Sequence, residues 1–347
     1  MKNQKIKTAL LSFGMSGEVF HLPLLEAHTG FEVISILQRN AGKAARHSYN
    51  VVHQYEDILK DENVELVIVN TPNETHYPYA LQALQAQKHV IVEKPFTVNV
   101  QEADELIALS RQNNRMLSVF QNRRWDADFL TVKKVLEQHL LGGLVECEIH
   151  YDRFRNYIEP NTWKEEPKPG TGILYNLGSH LLDQALVLFG MPRFLDARLG
   201  IQRPGGRVDD FFDIRLEYDG FFTILKSSYL VREQGPRFIL HGTEGSFVKS
   251  GIDPQEQALK DKKTPAVQGW GTEPREVWGR LNTSANGKRI EGLYESVPGN
   301  YLSYYDNIYK ALRSGEPLAV KPEEARNVIL LIEACQESNR KRSAVQL

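Results

Sequence analysis

The sequence predicts an α/β protein: a doubly wound parallel sheet in the N-terminal part, followed by an α+β domain built on a largely antiparallel sheet. Three observations carry that prediction. Over the first 122 residues, short and nearly unbroken apolar segments alternate with helical ones, as strands covered on both faces do. A glycine-containing turn follows the first apolar segment directly. Beyond residue 122 hairpin-like pairs replace the alternation.

Residues 6–13 form the first strand and run into Gly14, Met15, Ser16 and Gly17. Val19, Phe20, Leu22, Leu24 and Leu25 then supply one apolar helical surface, with Pro23 either bending it or lying in its first turns. Residues 31–37 are β-rich, 41–48 suit a helix, and 64–69 form a strand that ends in the loop Asn70, Thr71, Pro72, Asn73. A helix over 76–87, a strand over 89–93, a helix over 101–112 and a strand over 116–120 complete the series. This order of elements is that of a Rossmann nucleotide-binding domain.

Residues 126–138 and 177–189 read as helices, and 144–151 and 194–201 as strands. Asp219-Gly220 lies between strand-like arms within 211–225, and 242–245 lie between arms at 238–241 and 246–249, so two hairpins are expected. Residues 261–290 are polar and irregular, suited to a surface loop or an arm ordered by another subunit. Helices resume at 301–313 and 323–337, with Pro322 fitting a first helical turn. The expected division is a dinucleotide-binding domain over 1–122 and a substrate-binding and oligomerisation domain over 123–347.

Composition narrows the function. Lys plus Arg number 42 against 44 Asp plus Glu, a formal charge of -2, so no cationic surplus calls for nucleic acid. Apolar stretches are strand-sized, and the N-terminus runs into a strand without a secretory segment; a cytoplasmic protein with no membrane role is expected. The two cysteines, Cys147 and Cys335, form neither a close ligand pair nor a disulfide framework, the histidines are dispersed, and no metal is expected.

At the first turn, Ser12 and Phe13 precede Gly14, Met15, Ser16 and Gly17, with serine where a dinucleotide fingerprint has its first glycine. Gly14 can let backbone approach a pyrophosphate and Gly17 can admit close strand–helix packing; the same glycines would also serve a plain tight turn. At the end of the second strand, Arg39 stands where a ribose-binding carboxylate is common. A guanidinium suits a 2′-phosphate, so the expected cofactor is NADP rather than NAD, unless Arg39 is only a solvated surface residue.

Glu93, Lys94 and Pro95 follow a strand, at the sheet edge where ligands bind in this architecture. With the turn at 12–17, Thr71-Pro72-Asn73 with His76, residues 122–126 and residues 172–183, they resemble the glucose-fructose oxidoreductase, inositol dehydrogenase and rhizopine-catabolism family over nearly the whole chain. Within it the likeness is to NADP-dependent scyllo-inositol dehydrogenases. The resemblance implies that Lys94 is catalytic beside nicotinamide and substrate, that Lys94–Pro95 is a cis bond, and that a homodimer or homotetramer forms. It also implies cofactor contacts from Ser12, Phe13, Gly14, Met15, Ser16 and Gly17, from Thr71, Pro72, Asn73 and His76, and from Glu93 and Arg124.

Asn176, His180 and Asp183 share one helical face by their spacing. His180 matches the family's proton-transfer histidine, a residue type suited to exchanging a proton near neutral pH. Asn176 departs from the family's usual aspartate; an amide can orient a hydroxyl or imidazole but carries no charge. Asp183 could compensate, position His180 indirectly or bind the adjacent loop. Arg124 could bind phosphate or pair with Asp126, and His76 could support the nucleotide loop or simply pack. Tyr151, Arg153, Tyr157 and Trp163 could line a polyol pocket or close a surface between domains.

The function expected is hydride transfer between NADP(H) and an inositol or related polyol or sugar, scyllo-inositol and its inosose leading. A dinucleotide-dependent regulatory protein weakened at Asn176 is the alternative.

Overall fold

The computed structural model describes residues 4–38, 49–287 and 289–347. Arg39 and the helix expected over 41–48 lie outside them. The chain groups into two compact units.

The first unit is built on a six-stranded parallel sheet in the order β3-β2-β1-β4-β5-β6. Its strands are β1 (Ile6–Leu10), β2 (Phe31–Leu37), β3 (Asn50–Val52), β4 (Leu66–Val69), β5 (His89–Val92) and β6 (Leu117–Val119). β4 is Leu-Val-Ile-Val, buried at every residue, as a central strand with helices on both faces must be. The helices between strands are α1 (Leu22–Ala27), α2 (Tyr55–Lys60), α3 (His76–Gln85) and α4 (Val100–Gln112). α4 starts where the Asn99 side chain accepts the Glu102 amide at 2.9 Å. β3 and α2 were not foreseen; three residues of strand and six of helix are too short to show a period. Pro23 lies in the first turn of α1, and a π-helical turn, Ser16–His21, precedes it.

The second unit carries a nine-stranded sheet. α5 (Ala127–Glu137), β7 (Leu144–His150), α6 (Ser179–Phe189), β8 (Phe194–Gly200), β9 (Phe211–Glu217), β10 (Phe222–Ser228), β11 (Phe238–Gly242) and β12 (Gly245–Lys249) occur in that order. The two expected hairpins are β9–β10 and β11–β12. β7 and β10 pair in parallel, so the sheet is mixed at that one ladder.

The later chain crosses between the units. α7 (Gln255–Lys260) and α8 (Leu302–Ser314) belong to the first unit; β13 (Gly279–Thr283) and β14 (Ile290–Tyr294) extend the second sheet to the order β14-β13-β12-β11-β7-β10-β9-β8-β15. α9 (Pro322–Lys341) and β15 (Val345–Gln346) follow.

Two expectations change here. Residues 255–270 and 300–326 group with the first unit, so a single division after residue 122 does not describe the later chain. The physical reason is the aromatic face Tyr301, Tyr304 and Tyr305, fully buried, with Tyr305 packing edge-on to Phe31 at 5.4 Å. Gln255 joins the two returning stretches by accepting from Trp270 Nε1 and the Tyr301 amide. The polar run 261–290 is not wholly loop, because its end forms β13 by pairing with β12, a long-range ladder that local polarity conceals.

Candidate functional site

The strand order reverses between β1 and β4, the point at which open parallel sheets bind ligands beyond their C-terminal ends. The glycine turn follows β1 and the Thr71-Pro72-Asn73 loop follows β4. In the turn, the Gly14 amide donates to Ser12 Oγ at 3.2 Å, and Gly14 and Met15 are exposed. A Cβ on Gly14 would meet only Ser12 Oγ, at 3.5 Å, leaving that backbone open to a ligand. Gly17 differs: its Cβ would lie 2.3 Å from the Ser12 carbonyl oxygen and 2.9 Å from Asn70 Nδ2. Asn70 Nδ2 also donates to the Ser12 carbonyl at 2.8 Å, closing the turn against β4. Phe13 is buried in the core, so only its backbone is available to a ligand.

The loop after β5 is held from two sides. Glu93 accepts from Ser16 Oγ, from His21 Nε2 at 3.1 Å and from the Lys94 amide at 3.0 Å. Burial raises the Glu93 carboxyl, but His21, Ser16 and Lys94 outweigh it and bring the group down to about 2. On the other side, buried His76 sets Nδ1 at 2.7 Å from the Pro95 carbonyl and Nε2 at 3.0 Å from the Thr71 carbonyl. Burial lowers the His76 pKa, against the two carbonyl contacts, which raise it. His76 therefore ties the two loops beyond β4 and β5, and the Lys94–Pro95 bond is cis. Lys94 is half-buried.

An exposed glycine backbone at the switch point and a closed strand–turn contact at Gly17 fit the pyrophosphate of a dinucleotide. Residues 12–17, 71–73 and 93–94 are those available to hold it.

In the second unit, a π-helical turn, Leu174–Gly178, leads into α6. Asn176 sits in the π turn and donates from Nδ2 to the Tyr229 hydroxyl at 3.2 Å. His180 and Asp183 are buried on α6. Asp183 is gripped by Arg124, Nε to Oδ2 at 2.8 Å and Nη2 to Oδ1 at 2.6 Å. Arg123 lies 3.1 Å from Asp126. Arg124 meets both Asp183 oxygens, a geometry that matches the guanidinium fork.

Other aromatic candidates divide. Tyr151 is buried, its ring faced by the guanidinium groups of Arg237, Arg123 and Arg153 at 4.5, 4.9 and 5.1 Å. Tyr157 is exposed, and Trp163 is half-buried in a short 3-10 turn. Sequence reasoning missed His21, Tyr305, Asn70, Tyr229 and Asp209. Asp209 Oδ2 accepts the Leu174 amide at 2.8 Å and so anchors the start of the turn that carries Asn176. His21 follows the glycine turn closely and could have been suspected; nothing local marks Tyr305.

Comparison with known families decides the affiliation. Residues 6–121 match the family model described as an oxidoreductase family, NAD-binding Rossmann fold, and 133–347 match its C-terminal alpha/beta domain. The chain belongs to the GFO/IDH/MocA oxidoreductase family. Like the family, it is a dinucleotide-dependent oxidoreductase. Among its relatives in this family, scyllo-inositol 2-dehydrogenase (NADP(+)) IolW of Bacillus subtilis (strain 168) is 38% identical, covering 100% of this chain and 97% of that one. The uncharacterized oxidoreductase YdgJ of Escherichia coli (strain K12) is 40% identical over 99% of both. The solved structure of yvaA from Bacillus subtilis superposes with a TM-score of 0.96 at 38% identity, covering 100% of this chain and 99% of that one. Among the described residues, no helix is long and apolar enough to cross a membrane.

Proposed function

We propose that this protein transfers hydride between NADP(H) and an inositol or related polyol, with scyllo-inositol and its inosose as the leading pair. The observation that carries the reading is similarity along the whole chain to a scyllo-inositol 2-dehydrogenase (NADP(+)), joined to retention of Lys94 and His180. The bound dinucleotide supplies the hydride acceptor or donor.

The protein's own part is binding, orientation and proton movement. Residues 12–17, 71–73, His76, Glu93 and Arg124 serve the dinucleotide side. Arg39 favours a 2′-phosphate over free ribose hydroxyls. Lys94 donates a hydrogen bond to the reacting oxygen. His180 takes the hydroxyl proton during oxidation and returns it during reduction. Asn176, Asp183, Tyr157 and Trp163 orient the polyol, a neutral ligand that suits amide and hydroxyl partners. Assembly as a homodimer or homotetramer belongs to the same proposal, and light scattering tests it.

The deciding experiment follows reduced-nicotinamide absorbance with NADP and NAD against inositol isomers, inososes and aldoses in both directions. Saturable NADP-linked turnover of scyllo-inositol, abolished by Lys94→Met with cofactor affinity retained, is expected. Wild-type turnover by Lys94→Met removes the catalytic role. Tight NADPH binding with no turnover across the screen favours a regulatory protein, the reading that the uncharged Asn176 supports.

A further inference from the structure

The chain Tyr305–His21–Glu93, buried at its first two members, joins the glycine turn to the loop that bears Lys94. A carboxylate only accepts, so His21 carries its proton on Nε2 and donates to Glu93 at 3.1 Å. The Tyr305 hydroxyl lies 2.6 Å from the other ring nitrogen, Nδ1. His21 and Tyr305 are fully buried, and Phe120 packs against the imidazole at 4.5 Å, so the ring has little room to turn. Glu93 receives Ser16 of the turn on the oxygen that His21 also occupies, and the Lys94 amide on the other. Movement of Ser16 thus pulls on the same carboxylate that fixes the Lys94 backbone.

We propose that His21, fixed by Tyr305, is a positioning residue that makes the placement of Lys94 depend on dinucleotide occupancy of the glycine turn. Three donors on one half-buried carboxylate couple the turn to the Lys94 loop, so that the two become ordered together. The inference rests on the dinucleotide-binding reading above. It adds two residues, one contributed by α8 from far along the chain, to the apparatus around Lys94.

Hydrogen exchange on the full chain, with and without saturating NADPH and with NADH as a second arm, tests it. In the wild type, NADPH is expected to slow exchange in residues 12–18 and 93–97 together, by about tenfold or more. In Tyr305→Phe and His21→Leu it should still slow 12–18 but leave 93–97 within about twofold of the free protein. Calorimetry on each variant identifies any that fails to fold, and Tyr305→Phe, which removes a single hydroxyl, then carries the test alone. Full protection of 93–97 in folded variants overturns the inference while leaving dinucleotide binding intact. No protection of 12–18 by either nucleotide in the wild type takes down the binding reading and the inference with it.

Discussion

Arg124 holds Asp183 through two parallel hydrogen bonds, 2.8 and 2.6 Å, with both side chains nearly excluded from solvent. Asp183 lies three residues beyond His180 on α6, so the pair fixes the helix that presents the proposed proton carrier. Breaking one member leaves a buried charge uncompensated. Asp183→Asn is therefore expected to cost about 3–5 kcal/mol in urea denaturation. Replacing both, as in Arg124→Met with Asp183→Leu, should cost less than either single change. Equal or additive losses would mean that the pair does not act as a unit.

The two glycines of the turn make separable predictions. Gly17→Ala drives a methyl into the Ser12 carbonyl and should destabilise the fold by about 1–3 kcal/mol. Gly14→Ala meets only an ordinary contact, so its stability should stay within about 0.5 kcal/mol of wild type. Its NADPH affinity should nonetheless fall, because the added methyl occupies the face that the pyrophosphate approaches. Unchanged NADPH affinity in Gly14→Ala, measured by fluorescence titration, would move the phosphates elsewhere.

Asp209 sets a pH dependence. Burial raises its carboxyl to about 6, against hydrogen bonds from the Leu174 and other backbone amides that lower it. The folded protein therefore keeps this proton where the unfolded chain has lost it. The stabilisation linked to it is complete below the unfolded value near 4 and disappears as pH rises through about 6. Asp209→Asn retains an acceptor for Leu174 without the charge. Between pH 5 and pH 8 the wild type should lose about 1.4 kcal/mol relative to this variant. A stability difference that does not vary across those two pH values would contradict the raised carboxyl.

Asn176→Asp restores the family's usual residue next to the Tyr229 hydroxyl, which would then donate to the new carboxylate. If charge beside His180 limits proton transfer, kcat for scyllo-inositol should rise by about tenfold, within the range of general acid–base effects. Lower activity would mean that the amide has a substrate-orienting role that a carboxylate cannot fill.

Much of the fold was determined by local sequence alone. Buried parallel strands such as Leu-Val-Ile-Val at 66–69 must be apolar throughout, the turn after β1 must contain glycine at position 17, and Asp219-Gly220 must turn back on itself. Those requirements act within a few residues and so leave a pattern that can be read. Tertiary structure alone decided that Arg124 meets Asp183, that β13 joins β12, and that Tyr305 reaches His21 across 284 positions of chain. A guanidinium with two acidic candidates, or a tyrosine on an aromatic helix face, has the same local propensity whichever partner it takes. The choice is made by packing between segments remote in sequence, where geometry and exclusion of water set the strength of each pairing.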